Sequence, residues 1–241
     1  MKMMGRPDSF LQYLQVTSHT RPFLHACYTD GQHSRVEHHA YNNAERFMYG
    51  LTLGGEYVSS ASSTPLSVQP LLLYYGLNHY LKACLLTVDP GYPATAKVLA
   101  HGLSTRKRKK QQYRFLEDDI RIQPHGLFPH AASHLFGFSV EKEKAAMDEL
   151  LRPLPAMREL YLLKNIQPGD EGKAWPELLS YFAVLYNLSM LVRYEGDWWG
   201  EMEQMRDRED FVFIVHFLQS AVDQVPALIS TWLKDRHLSI Q

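Results

Sequence analysis

The residues best suited to chemistry form a dense run of positive charge near the middle of the chain. The run combines one histidine, two hydroxyl residues and six cations: His101, Ser104, Thr105, Arg106, Lys107, Arg108, Lys109, Lys110 and Arg114. Arginine offers planar bidentate donors to a phosphate, and lysine offers a point charge. Nothing glycine-rich precedes a Lys-Ser or Lys-Thr pair, so the run is not a P-loop. It predicts a compact phosphate-binding site, with a solvated loop as the alternative.

Acidic residues follow the run, and they affect whether it can bind a phosphate. Glu117, Asp118 and Asp119 have the pattern of solvated surface charge. If they pair with the cations instead, they neutralise the run, and its role is then structural.

The element that must position this run is an apolar helix predicted for residues 69–88. Pro70 suits its first turn, and Asp89 followed by proline ends it. Apolar residues lie on nearly every side, which is typical of a central, buried helix. Its polar side chains, spaced by three and four residues, share one stripe: Tyr75, Asn78, His79 and Lys82. The stripe indicates either a buried polar network or one wall of a ligand pocket, in which an aromatic residue stacks beside the phosphate site.

The whole chain predicts a mainly α, multi-helix bundle with one small β-hairpin element. A single domain over residues 1–241 is expected, with a possible subdivision near 165–174. Hydrophobic spacing predicts further helices over residues 10–16, 34–57, 94–100, 129–136, 141–151, 155–164, 176–192 and 210–233. Arg-Pro, aromatic and Asp-Gly signals predict an irregular segment over 17–33. The hairpin is predicted from extended segments at 113–116, 119–122 and 127–128, with a turn at 124–126.

Four local features refine this prediction. Ser9 is the expected cap of the first helix. Gly54-Gly55 should weaken the far end of the second helix, and Pro226 should kink or break the last one. Trp198-Trp199 should form a turn that packs in the core, although an exposed tryptophan pair would suit a partner protein.

Several histidines are near enough in sequence to be weighed as metal ligands. His130 and His134 would lie one turn apart on a helix, close to His125. The residues at positions 33, 38 and 39 form a second group of histidines. No cysteine and no Glu-x-x-His pattern accompanies them, and a chain with 12 histidines contains chance pairs. We therefore expect no metal ion, no other cofactor and no catalytic residue.

Composition narrows the class of protein. The formal net charge of the 241 residues is −1, so no overall basic field draws the chain to nucleic acid or membrane. Cys27 and Cys84 lack disulfide or metal spacing and are expected to be buried free thiols. The N-terminus lacks an apolar signal core, and polar residues make helix 69–88 a poor transmembrane candidate. A cytoplasmic protein with no membrane partner is predicted, and its oligomeric state stays open.

Three motifs resemble the YaaC-like proteins of Firmicutes. Residues 65–76 read PLSVQPLLLYYG, residues 99–110 read LAHGLSTRKRKK, and residues 126–130 read GLFPH. The tyrosine-rich helix and the basic block are the specific parts of the resemblance, which covers about a third of the chain. The resemblance implies a cytosolic bacterial protein, and it assigns no catalytic residue.

A more distant similarity is to HEPN-type helical bundles, which often carry a Pro-Leu-Leu-x-Tyr-Tyr helix. Ribonucleases of that group use an arginine and a later histidine with four to six residues between them. The pairs Arg21–His25, Arg35–His39 and Arg121–His125 have three intervening residues, and Arg208–His216 has seven. No arginine in the chain meets the spacing, so the resemblance to a nuclease loses its main support.

Three hypotheses about function follow. The first is a non-enzymatic regulatory protein that binds a polyphosphate nucleotide and acts on a partner protein. The second is an RNA-binding or RNA-cleaving helical bundle, favoured by the aromatic residues Tyr92, Tyr113 and Phe115 around the cations. The third is a protein-interaction module that uses the tryptophan pair and the final helices. A sequence pI near 6.9 favours a small anion over a long nucleic acid, because extended nucleic-acid surfaces usually raise the pI of the whole protein.

Overall fold

The computed structural model of the chain describes residues 8–106, 113–170, 172, 174–206 and 209–240. Within these residues the chain forms ten α-helices and one three-stranded sheet. The helices are α1 (Ser9–Tyr13), α2 (Thr17–Asp30), α3 (Val36–Ala61), α4 (Gln69–Val88), α5 (Leu127–Phe136), α6 (Met147–Leu151), α7 (Arg158–Leu163), α8 (Glu177–Tyr194), α9 (Gly196–Met205) and α10 (Glu209–Ser239). The strands are β1 (Leu103–Thr105), β2 (Asp119–Ile122) and β3 (Lys144–Ala146), and short 3-10 turns cover Ala96–Leu99, Phe115–Glu117 and Pro155–Met157. The predicted fold class, mainly α with a small β element, is confirmed.

The apolar helix α4 is the centre of the fold, and its predicted span is confirmed. It packs between α3 and α8 and also touches α2, α5 and α10. Pro70 lies in the first turn, where its missing N–H leaves no helical hydrogen bond unmade. Leu77, Leu81 and Leu85 are completely buried, so this face of the helix supplies much of the core.

Helices α3 and α4 cross closely because glycine lies at their contact. A Cβ atom on Gly54 would lie 2.6 Å from Cδ1 of Tyr80, and one on Gly76 would lie 2.9 Å from Cγ2 of Val58. The expectation that Gly54-Gly55 weakens the helix is wrong, since α3 continues to Ala61. Packing against Tyr80 offsets the low helix propensity of glycine.

Two predictions near the N-terminus are also wrong. The cap of α1 is Asp8, whose Oδ1 accepts hydrogen bonds from the backbone N–H groups of Phe10 at 2.8 Å and Leu11 at 3.4 Å, so Ser9 is the first helical residue. Residues 17–30 form α2 and are not irregular. Pro22 removes only one helical hydrogen bond, and the burial of Phe23 outweighs that loss.

The two cysteines are free and buried, as the sequence predicted. Burial raises the pKa of Cys27 to about 12, and it raises the pKa of Cys84 further. Both therefore carry protonated thiols at neutral pH and pack as small apolar side chains.

The small sheet has the strand order β1-β2-β3, and both pairings are antiparallel. Strand β2 was predicted, but its partners were not: Leu103 pairs with Ile122, and Ala145 pairs with Ile120. Residues 127–128 begin α5 and form no hairpin with β2, and a strand replaces the first part of the helix predicted for 141–151. Ala145 is buried in the sheet, so pairing and burial override the helix propensity of that stretch.

The C-terminal helices differ from their predicted form in two places. Trp198 and Trp199 lie in the first turn of helix α9, so the turn predicted at this pair is wrong. Trp199 is only 3% exposed, and Trp198 meets the ring of Tyr113 edge-on at 4.7 Å. The pair therefore packs in the core, as expected, and is not an exposed anchor.

Helix α10 runs through Pro226 without ending there. Among the described residues it is the one helix long and apolar enough to cross a membrane by length and composition. In the fold it packs against α3, α4 and α8, and 39% of its most apolar window is buried.

Candidate functional site

A short loop between the first 3-10 turn and β1 carries His101, and the start of α5 holds that loop in place. The backbone N–H of Leu127 donates to the carbonyl of Ala100 at 2.7 Å, and the backbone N–H of Phe128 donates to the carbonyl of His101 at 3.1 Å. The first N–H groups of a helix have no partner within it, so these loop carbonyls serve as the cap of α5. Gly126 precedes them with φ +131°, a conformation that suits glycine almost alone.

This loop places the side chain of His101 against α4. Its Nδ1 lies 2.6 Å from the hydroxyl of Tyr74, whose ring also packs against Phe182 and Tyr186 of α8. Burial raises the pKa of Tyr74 well above its usual value, and Asn78 partly offsets that rise. Burial also lowers the pKa of His101. Both groups are therefore neutral at pH 7, and we assign the shared proton to the tyrosine, which leaves Nε2–H on the ring.

Two cations lie near this histidine. After burial, the charges of Arg193 and Lys82 lower the pKa of His101 further. Together these residues from α4, α8 and the loop make up what we call the His101 cluster: Tyr74, Asn78, Lys82, His101, Tyr186 and Arg193.

The positive charge of the His101 cluster is not neutralised by any carboxylate in the described part of the chain. Lys82 is half-buried, and burial lowers its pKa. Arg193 is exposed, and its Nε donates to the carbonyl of Ser189 at 2.9 Å. Among the residues that the structure describes, no carboxylate forms an ion pair with either cation. A cation held partly out of water with no anionic partner favours an anionic ligand.

The polar stripe of α4 divides between two neighbouring helices. Asn78 and Lys82 belong to the His101 cluster on the α8 side. His79 stacks on Tyr57 of α3 with 5.5 Å between ring centroids, and Tyr75 lies 6.0 Å from the same ring. Burial lowers the pKa of His79, and the charge of Lys82 lowers it further, so this lysine lies near both histidines. Tyr75 is 38% exposed and lies beside Tyr74, at the rim of the cluster.

The basic run begins beside the His101 cluster. Ser104 and Thr105 lie in β1, and the Oγ of Ser104 accepts a hydrogen bond from Nε2 of Gln123 at 2.8 Å. Arg106 follows as an exposed residue. The predicted residues Lys107, Arg108, Lys109 and Lys110 lie outside the described residues.

The far end of the run is fixed by a buried carboxylate. The Tyr113 hydroxyl donates to Oδ2 of Asp118 at 2.8 Å, and Nδ2 of Asn187 donates to the same oxygen at 3.0 Å. Asp118 is only 3% exposed, so the interpretation of it as solvated charge is wrong. Arg114 is exposed and pairs with Glu117, with Nη1 and Oε1 3.6 Å apart. Both ends of the run are thus attached to the core that contains the His101 cluster.

Three members of the cluster were not predicted from the sequence: Tyr74, Tyr186 and Arg193. Tyr186 and Arg193 belong to α8, which is almost as apolar as α4 and was predicted as a helix with no site residue on it. Their spacing of seven residues, two helical turns, places them on one face. This spacing was the available signal, because polar residues on a buried helix need partners.

Two open clefts lie elsewhere, and residues of the segment 138–142 line both of them. Their volumes are about 510 and 790 Å³. The smaller contains Lys142 and Arg152, which pair with Glu149 and Asp148 respectively. Its cations are thus neutralised, and neither cleft includes a residue of the His101 cluster.

The lowered pKa values of His79 and His101 predict how stability depends on pH. The unfolded chain binds protons as pH falls through about 6.5, whereas the folded chain still holds both rings neutral. The unfolded state then binds more protons, so the free energy of unfolding should decrease between about pH 7 and about pH 5. Imidazole NMR should show His101 titrating below 6.5, and Lys82→Met should raise its pKa. The exposed control Lys97→Met should leave it unchanged, and a value at or above 6.5 in the native protein would refute the assignment.

Comparison with known proteins identifies a family. The model described as "YaaC-like Protein" matches residues 12–169 and 161–233, which together span most of the chain. No curated protein and no solved structure is similar enough to match.

Proposed function

The chain belongs to the YaaC-like protein family, and we propose that it is a regulatory protein that binds a polyphosphate nucleotide at the His101 cluster and acts on a partner protein. The phosphates lie between Lys82, Arg193 and His101. The role is one of binding, and no chemical step on the nucleotide is proposed.

The observation that carries this proposal is the pair of cations that have no carboxylate partner among the described residues and lie beside a neutral histidine. Lys82 and Arg193 both lower the pKa of His101, so they place a positive potential at the ring. A bound phosphate would offset this positive potential. It would also accept hydrogen bonds from Nε2 of His101, from Nζ of Lys82 and from the Arg193 guanidinium. Its binding should therefore raise the pKa of His101.

The aromatic residue at the rim supports a nucleotide over a bare phosphate. Tyr75 is partly exposed next to Tyr74, which bonds His101. A base can stack on its free face, which is worth about 1–3 kcal/mol in comparable contacts. Exposed Tyr41 and Tyr49 on α3 offer an aromatic surface on which the partner protein can bind.

A nucleotide series tests the proposal directly. Thermal shift and calorimetry with a nucleoside and its mono-, di- and triphosphates should show the melting temperature rising with phosphate number. Lys82→Met and Arg193→Met should each weaken triphosphate binding by roughly 10-fold or more, because each removes a charge-assisted hydrogen bond of about 1.5–3 kcal/mol. Tyr75→Leu should weaken binding of the nucleotide and leave binding of inorganic triphosphate unchanged.

Matched controls separate local contacts from general charge. Lys97→Met and Arg158→Met each remove one exposed cation that does not belong to the cluster, and both variants should bind as the native protein does. The triple variant Arg106→Ala, Arg108→Ala, Lys109→Ala tests the basic run and should lose binding with its melting temperature nearly unchanged. Equal binding in all variants would overturn the proposal. No response to nucleotides, together with salt-sensitive retention of RNA, would favour the RNA-binding alternative.

A further inference from the structure

A second group of ligating side chains lies where the end of α4 meets α5. Asp89, His130 and His134 each offer one ligand atom, and these atoms all lie within 4.8 Å of one another. Nε2 of His130 is 3.0 Å from Oδ2 of Asp89. Two ligands bound at about 2.0–2.1 Å to one tetrahedral metal ion are themselves roughly 3.3 Å apart. The Asp89–His130 pair therefore already has close to the spacing that a metal ion imposes.

The spacing on α5 brings the two histidines together. His130 and His134 are four residues apart, so they lie on one face of the helix, and their ring centroids are 3.9 Å apart. His134 is exposed, and a hydrogen bond between Asp89 and His130 does not require it. A third ligand position explains why a second imidazole lies against this pair.

Hydrogen bonds outside the group orient two of the three ligands. Nδ1 of His134 donates to the carbonyl of His130 at 3.0 Å, which fixes the tautomer and leaves Nε2 with its lone pair free. Oδ1 of Asp89 accepts from the backbone N–H of Gly91 at 3.1 Å, which leaves Oδ2 to bind a metal ion. Metal-binding side chains are commonly held by such outer contacts.

The surrounding structure also holds the group in position. The buried ring of Tyr92 stacks on His130 with 5.4 Å between centroids. The Tyr92 carbonyl accepts from Arg46 at 2.7 Å, and the Pro90 carbonyl accepts from Asn43 at 2.9 Å. The turn that carries Asp89 is thus tied to α3, so the carboxylate cannot easily move away from α5.

We propose that Asp89, His130 and His134 bind one divalent transition-metal ion, with the remaining coordination positions open to water or another ligand. Two imidazoles and one carboxylate suit Zn²⁺, Co²⁺ or Fe²⁺ and disfavour Mg²⁺ and Ca²⁺, which prefer oxygen ligands. The ion would join the end of α4 to α5, the helix whose first N–H groups hold the His101 loop. The site shares no residue with the His101 cluster, so a result that refutes one proposal leaves the other untouched.

Metal titration of the full-length protein tests this inference. Tag-free protein stripped with EDTA should bind one equivalent of Zn²⁺ by competition with a chromogenic chelator, and Zn²⁺ should raise its melting temperature. Co²⁺ should give visible d–d absorption bands whose intensity reports four- or five-coordinate geometry. His134→Ala should weaken Zn²⁺ binding by at least roughly 10-fold, since even the loss of an outer contact costs that much in known sites.

The controls make each outcome decisive. His125→Ala removes an exposed histidine outside the group and should bind Zn²⁺ as the native protein does. Asp89→Asn keeps the shape of the side chain and should also weaken binding. His134 is exposed, so its replacement should leave the metal-free melting temperature unchanged. Absence of Zn²⁺ uptake by native protein, or equal uptake by His134→Ala and His125→Ala, would overturn the proposal.

Discussion

Replacing Gly126 by alanine should lower the free energy of unfolding by about 3–6 kcal/mol. The residue has φ +131°, and an added Cβ would lie 2.3 Å from the backbone nitrogen of Gly102. Backbone atoms cannot rotate out of the way as a flexible side chain can, so the loop and the start of α5 must separate. A loss of this size should lower the melting temperature by about 10–20 °C in a chain of this length.

The same substitution should disturb the His101 cluster. The hydrogen bonds from Leu127 and Phe128 to the loop would lengthen, and the contact between His101 and Tyr74 depends on them. The imidazole NMR signal of His101 should then move toward that of a solvated ring, and nucleotide binding should weaken.

Gly137→Ala is the matched control for this prediction. Gly137 also has positive φ, +57°, but nothing lies within 4 Å of its added Cβ. Gly137→Ala should therefore lower the free energy of unfolding by only about 1 kcal/mol, which is the cost of holding alanine in the left-handed backbone conformation. Equal destabilisation by the two variants would show that backbone conformation, and not the close approach to Gly102, makes Gly126 necessary.

The central part of the fold was predictable because its signals are local. Helix α4 combines a mainly apolar composition with proline near each boundary, so both its span and its burial follow from the sequence. The same is true of α8 and of β2. Each of these elements satisfies its own propensity and its packing at once.

The errors lie where tertiary packing decides against local propensity. Pro22 suggested an irregular segment, yet one lost hydrogen bond weighs less than the buried face of α2. Gly54 suggested a weak helix end, yet it is the residue that allows Tyr80 to pack closely. Ala145 lies among good helix formers, yet it pairs with Ile120 in the sheet. None of these outcomes can be read from a window of neighbouring residues.

The candidate site was predictable only in part, for a related reason. The stripe on α4 and His101 were identified from spacing and charge, but their partners on α8 are about a hundred residues away in sequence. Contact between Tyr74 and Tyr186 is set by how α4 packs on α8, which no single-segment pattern reports. Asp118 was misinterpreted for the same reason, since its partner Asn187 also belongs to α8.

Asp118→Ala should lower the free energy of unfolding by about 3–5 kcal/mol, the second largest effect expected after that of Gly126→Ala. The buried carboxylate accepts hydrogen bonds from Tyr113 and Asn187. Removing it takes the acceptor from two buried donors, and a buried donor left without its acceptor costs about 1–3 kcal/mol. Urea unfolding should show the lower stability, and tryptophan fluorescence of the native state should change because Tyr113 packs against Trp198.

The neighbouring acid Glu117 provides a control that distinguishes the loss of a buried carboxylate from the loss of a negative charge. Glu117 lies one residue away, and its side chain is 68% exposed in a surface ion pair with Arg114. Glu117→Ala should therefore change stability by no more than about 0.5 kcal/mol. If Glu117→Ala and Asp118→Ala were equally mild, Asp118 could not be the anchor of the basic run. If only Asp118→Ala weakens both folding and triphosphate binding, the run depends on α8 for its position, because Asn187 adjoins Tyr186 of the His101 cluster.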